Sequence, residues 1–176
     1  YGGDGADSFN DYEGANTQDG GAGDDFFDNV GYNTSSLDTF TGGTGVDTYR
    51  LNFYSGHTGD IITDFTPGAG GDKILLQYQL DGRMGATGVN PFNAGQMQLV
   101  QSGADTLVQA FAGGSWQTVL TLVGVDHTQL TADNFFNFNV NGGVQGFSPS
   151  GGTTGLVITD DNDAHTLTGS GDNDTI

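Results

Sequence analysis

Three nine-residue stretches share one pattern. Gly2 to Asn10 reads GGDGADSFN, Gly20 to Asp28 reads GGAGDDFFD, and Gly42 to Arg50 reads GGTGVDTYR. All fit GGxGxDxUx, where U is a large apolar residue. The glycines permit positive φ in a turn and close approach of the backbone to a ligand. The last residues form a short strand whose faces alternate, so one large side chain per repeat points inward. A single such unit cannot bury its own apolar residue, so successive units must stack.

The intervening segments keep the beat in degraded form. Asp11 to Asp19 (DYEGANTQD) keeps Gly14, but has Asn16 for the Asp and Gln18 for the apolar residue. Asn33 to Thr41 (NTSSLDTFT) keeps Asp38 and Phe40 and loses every glycine. Asn29 to Tyr32 reads as an insertion of four residues, so the coil offset of 18 from Asp7 to Asp25 becomes 22 from Asp25 to Asp47. Two nonapeptides make one coil, which places Asp7, Asp25 and Asp47 along one edge and Asn16 and Asp38 along the other. Phe9, Phe27, Phe40 and Tyr49 are expected to stack as the core ladder.

Charge sharpens this reading. The chain has 3 Lys+Arg against 22 Asp+Glu, for a formal net charge of -19, and every acid but Glu13 is Asp. Asp favours turns and oxygen-ligand cation sites, whereas helix surfaces usually take Glu. Self-repulsion on this scale opposes compaction, and a polyanion does not bind nucleic acid or an anionic membrane surface unaided. Either the surface is merely solubilising or bound cations belong to the fold, and the regular Asp spacing favours cations. There are no cysteines, hence no disulfide or zinc-thiolate site. No apolar run approaches the roughly 20 residues of a spanning helix.

The nonapeptides resemble the RTX (repeats-in-toxin) family of calcium-binding proteins. That resemblance implies an all-β fold: a right-handed parallel β-roll followed by a β-sandwich-like capping domain. It implies several calcium ions, held between stacked turns by Asp7, Asp25 and Asp47 with the carbonyls of Gly3, Gly5, Gly21, Gly23, Gly43 and Gly45. Asn16 and Asp38 offer a weaker site on the opposite edge. The alternative role for these acids is that of ordinary turn-forming residues.

Asp60 to Leu75 (DIITDFTPGAGGDKIL) resembles the segment that follows the repeats in RTX proteases, lipases and adhesins of type I secretion. Asn90 to Val125 resembles the β-rich domain near the C-terminus of many such proteins. The family likeness assigns a further calcium to Asp60 and Asp64, with Asp72 as a third ligand or as a plain surface pair with Lys73. Val100 to Gly124 reads as hairpins turning at Gly113-Gly114, and Leu130 to Phe136 as the one helical turn, capped by Thr131. Asp160 to Ile176 resumes the beat, with Asp163 and Asp174 as candidate ligands and His165 in an Asp slot. Asp174 and Ile176 fall nine residues before Asp7 and Phe9 of a following copy, which suggests tandem or end-to-end stacking. The expected division is 1–50 roll, 51–140 cap, 141–159 linker, and 160–176 the start of a second roll.

Catalysis is not expected. His57, His127 and His165 match no metalloprotease helix motif, and no G-x-S-x-G elbow surrounds Ser102, Ser115 or Ser148. Trp116 is read as hairpin packing ahead of a sugar platform. The functional expectation is a calcium-dependent structural module, one repeating unit of a large secreted bacterial adhesin, surface layer or filament. The alternative is a secretion, carrier or polysaccharide-binding module of an extracellular hydrolase. Expected partners are neighbouring copies or adjacent RTX units and, during export, a type I exporter, with no nucleic acid and no membrane insertion. The expected location is extracellular or on the cell surface.

Overall fold

A computed structural model describes residues 1–10, 14–30, 36–51, 59–76, 90–136 and 138–140. The chain is all-β. Its strands are β1 (Gly3–Asp4), β2 (Ser8–Phe9), β3 (Thr17–Ala22), β4 (Phe26–Val30), β5 (Thr39–Thr44), β6 (Thr48–Leu51), β7 (Asp60–Ile62), β8 (Lys73–Leu75), β9 (Met97–Ser102), β10 (Asp105–Ala112) and β11 (Ser115–Leu122). From β1 to β8 successive strands alternate between two sheets, which is what a coil of two nonapeptides requires. One sheet runs β1-β3-β5-β7-β11-β10-β9, the other β2-β4-β6-β8. Pairing through β1, β3, β5 and β7 and through β2, β4, β6 and β8 is parallel throughout, the signature of a β-roll.

The register follows the expected spacing. Gly3 pairs with Gly21 and Gly21 with Gly43, coil offsets of 18 and 22. The parallel ladders do not stop at residue 50, the expected end of the roll. Phe40 pairs with Ile62, and Tyr49 with Ile74, so the Asp60 to Leu75 segment forms a fourth coil. The hairpins β9–β11 do not make a separate sandwich among the described residues. Instead β11 pairs in parallel with β7, extending the first sheet of the roll. One continuous cluster of buried apolar residues runs from Phe27 through Ile62 and Leu122 to Phe135. The physical reason is edge protection: β7 alone would leave a row of unpaired backbone groups, and β11 satisfies them.

Inward residues stack in two columns, one per sheet. Phe9, Phe27 and Tyr49 lie face to face, with centroids 4.8 and 4.9 Å apart and planes within 8° and 6°. Phe40, expected in the same ladder, comes from the opposing sheet and meets Phe27 and Tyr49 edge-on at 5.6 and 6.3 Å. Both packings are favourable for aromatic rings, at about 0.5–1.5 kcal/mol beyond area burial. Gly113 and Gly114 both take positive φ (61° and 85°), the requirement of the tight turn joining β10 to β11. Helix is confined, among the described residues, to two 3-10 turns, His127–Gln129 and Ala132–Phe135. The second has Thr131 at its cap as expected, with the Thr131 N–H donating to Asn134 Oδ1 at 3.0 Å. No helix among the described residues is long and apolar enough to cross a membrane.

Phe27 is fully buried between two stacked rings. Phe27→Ala is expected to cost about 3–5 kcal/mol. Urea unfolding of the folded protein measures this, and a loss below about 1 kcal/mol would contradict a packed aromatic column.

Candidate metal centre

Along the edge where β1, β3, β5 and β7 pass to β2, β4, β6 and β8, each turn carries an Asp. The N–H of Asp7 donates to Asp25 Oδ1 (2.8 Å), that of Asp25 to Asp47 Oδ1 (2.9 Å), and that of Asp47 to Asp72 Oδ1 (2.9 Å). Asp72 Oδ2 accepts the Thr66 N–H at 2.8 Å. The opposite edge repeats the device, with Asn16 N–H on Asp38 Oδ1 (2.7 Å) and Asp38 N–H on Asp60 Oδ1 (2.9 Å). One carboxylate oxygen per rung is thus committed to stitching coil to coil.

At the first two turns the other oxygen is not. Asp7 Oδ2 and Asp25 Oδ2 are buried and accept no hydrogen bond. A buried anionic oxygen without a partner is costly unless a cation faces it. Further oxygens crowd the same turns. A β-carbon on Gly2 would collide with Asp7 Oδ2 and lie 2.5 Å from the Gly20 carbonyl oxygen. On Gly20 it would collide with Asp25 Oδ2 and lie 2.6 Å from the Gly42 carbonyl oxygen. The carbonyls of Gly3 and Gly5 abut Gly21 and Gly23, and those of Gly21 and Gly23 abut Gly43 and Gly45. All six of these glycines hold φ between +97° and +132°, a region closed to most side chains. The pattern needs glycine at both kinds of position, for conformation and for space.

This donor set of carboxylate and carbonyl oxygens is the chemistry that hard divalent cations such as calcium take. Among the described residues no three His, Cys, Asp or Glu side chains form a group able to hold a metal ion. A cation in these turns therefore draws on main-chain oxygens as well. The first-slot carbonyls of Gly20 and Gly42 belong with the carbonyls named from sequence. They were missed because the motif specifies side chains, not the direction of peptide planes.

The Asp60–Asp64–Asp72 grouping is not brought together. Asp60 starts β7 on the second edge, whereas Asp64 follows β7 on the first, about 13 Å of strand away. Asp64 accepts the N–H groups of Gly42 (2.9 Å) and Gly43 (2.8 Å), so it seats the third glycine turn. Asp72 is no surface partner of Lys73. It is buried, while Lys73 Nζ donates to Asp133 Oδ2 at 2.7 Å. Asp163, His165 and Asp174 lie outside the described residues. Trp116 packs edge-on against Phe111 at 5.3 Å on the hairpin, and both rings stay partly exposed.

Electrostatics follow from burial and crowding. Burial pushes the Asp47 carboxyl up to about 6, opposed by the Asp25 hydrogen bond and reinforced by repulsion from Asp72, Asp25 and Asp64. Asp72 is raised too, chiefly by burial, against the N–H groups of Thr66 and Asp47. Tyr49 is raised by burial first and then by Asp72, Asp64, Asp47 and Asp25, so its hydroxyl stays protonated.

No protein-family model matches the chain, and a search of curated proteins finds no match. Among solved structures, it is similar to the AlgE6R3 subunit of the Azotobacter vinelandii mannuronan C5-epimerase. That overlap has 21% identity and a TM-score of 0.46, covering 96% of this chain and 94% of the other. The AlgE6R2 subunit of the same epimerase overlaps with 20% identity and a TM-score of 0.37, over 78% and 93% of the two chains. The β-roll assignment stands on the ladders described above rather than on these overlaps.

Asp47 holds its proton more tightly folded than unfolded, since its carboxyl moves from 3.8 to about 6. Without divalent cations, stability from this group is full below pH 4 and lost as pH rises through 6. In chelator, the folded fraction is expected to rise as pH falls from 7 to 5, and Asp47→Asn is expected to flatten that rise. Circular dichroism against pH measures it, and equal pH profiles for the two proteins would refute the assignment.

Proposed function

We propose that the chain is a calcium-dependent structural module, a repeating unit of a large secreted protein such as an adhesin, surface layer or extracellular filament. The observation that carries this reading is the pair of buried, unpartnered carboxylate oxygens, Asp7 Oδ2 and Asp25 Oδ2, set beside glycine carbonyls in successive turns. The likeness of the three nonapeptides to RTX repeats supports it, as do 22 acidic residues that the chain's 3 basic ones do not offset. In this reading Asp7, Asp25 and Asp47, with the turn carbonyls, hold calcium. The ions cancel the repulsion that otherwise opposes stacking.

Calcium then works as a folding switch through mass action. At millimolar calcium and a dissociation constant of ~10⁻⁴ M, each site adds about 1.4 kcal/mol to stability. Several such sites decide whether a marginal fold forms. In a calcium-poor cell interior the same acids keep the chain open and suited to passage through an exporter. Outside, the ion closes the coils. Neighbouring units of the same kind are the partners this reading implies.

Removing calcium with chelator at pH 7 is expected to abolish most of the β-sheet signal, and millimolar calcium to restore it. Magnesium at equal concentration is expected to fail, because it demands shorter, near-octahedral coordination and sheds water reluctantly. Far-UV circular dichroism measures both arms, and a spectrum indifferent to chelator would sink the proposal.

A further inference from the structure

The third turn of the roll brings a different oxygen against its first glycine than the first two do. In the first, the oxygens facing Gly2 are Asp7 Oδ2 and the carbonyl of Gly20; in the second, those facing Gly20 are Asp25 Oδ2 and the carbonyl of Gly42. The carbonyl in each case comes from the first glycine of the next coil. At the third turn Gly42 faces Asp47 Oδ2, but the next coil brings no glycine. Phe40 pairs with Ile62, so the register sets Asp64 opposite Gly42. Asp64 turns its carboxylate to the N–H groups of Gly42 and Gly43 instead. After Asp47 Oδ2, the oxygen nearest to where a Gly42 β-carbon would sit is the hydroxyl of Tyr49, at 2.5 Å.

Tyr49 is the one ring of its column that carries an oxygen, for the stacked residues before it are Phe9 and Phe27. Stacking is unchanged by the substitution, with planes 6° apart, so the extra atom extends past the column toward the turn. Tyr49 is fully buried and its hydroxyl has no hydrogen-bond partner. An apolar slot gains nothing from such a group, because a buried hydroxyl without a partner is destabilising. Its surroundings are anionic, with Asp72, Asp64, Asp47 and Asp25 all acting on it. A neutral phenol there has lone pairs to offer a cation, as a carbonyl does.

We propose that the Tyr49 hydroxyl, with the Asp47 carboxylate, holds a divalent cation at the third turn. This rests on the reading of the turns as calcium sites and adds a ligand that the nonapeptide pattern does not contain. In that pattern the eighth position serves the core; here the same side chain serves the core with its ring and the turn with its oxygen.

The test uses the full 176-residue chain and the variant Tyr49→Phe, which keeps the ring stack and removes the oxygen. Calcium titration followed by circular dichroism is expected to show the same folded plateau with the midpoint raised several-fold. Calorimetry is expected to count one calcium ion fewer. Terbium, which enters calcium sites and emits when excited through a nearby tyrosine, is expected to lose most of its sensitised emission in the variant. Gly42→Ala, which sets a methyl group against the same oxygens without positive φ, is expected to lose the same ion while keeping Tyr49. Equal ion counts and midpoints for wild type and Tyr49→Phe would overturn the assignment. A raised midpoint with undiminished terbium emission would also overturn it, assigning the hydroxyl to packing. If the wild-type chain itself gains no structure with calcium, the reading of the turns as calcium sites falls first and takes this one with it.

Discussion

One repeated hydrogen bond sets the architecture: a carboxylate oxygen accepts the backbone N–H of the residue one coil earlier. It joins Asp7, Asp25, Asp47 and Asp72 on one edge, and Asn16, Asp38 and Asp60 on the other. The offsets along the first edge are 18, 22 and 25 residues, so the bond tolerates chain of different lengths between rungs. Hydrogen bonds to charged groups contribute about 1.5–3 kcal/mol each, and here they are mostly shielded from water. They hold a parallel roll in register where the short strands alone contribute little.

The same bond creates the electrostatic problem that the candidate sites answer. Each rung places an anionic group in or near the interior, and the rungs repel one another along the edge. Burial raises Asp47 and Asp72 for this reason. At Asp7 and Asp25 the second oxygen lies buried beside glycine carbonyls without a hydrogen bond, so electron-rich oxygens accumulate in the first two turns. Stitching and the proposed cation binding would therefore be two uses of one residue, and the glycines that admit the carboxylate also expose the carbonyls.

The far end of the roll is closed differently on its two sheets. The first sheet continues into β11, so its edge is paired rather than bare. Beyond β8, the loop before it and the strand itself are tied to the second 3-10 turn. Asn134 Nδ2 donates to the Gly68 and Asp72 carbonyls at 3.1 and 2.9 Å, and Lys73 pairs with Asp133. These contacts fix Asp72, the last rung. The cap thus bears directly on the candidate centre.

The turn slots, the two edges and the inward Phe and Tyr positions were legible in the residues, because the motif repeats with a countable period. Beyond Arg50 the period fades, so Asp60 to Leu75 was not legible as a further coil. Asp72 was legible as a third ligand beside Asp60 and Asp64 or as a surface pair with Lys73, but not as a rung, since nothing in GAGGDKIL announces one 25 residues after Asp47. Phe40 was placed in the same column as Phe9 because spacing alone does not say from which sheet a ring enters. By itself, then, the sequence determined a stacked, all-β coil with acids aligned on its edges, since glycine, Asp and one apolar residue per nine admit little else. Tertiary structure decided how many coils the roll has, which oxygens remain without partners, and that Tyr49 points its hydroxyl into the third turn. Those outcomes depend on which backbone groups are already paired when the coils meet, and pairing is a property of the folded whole.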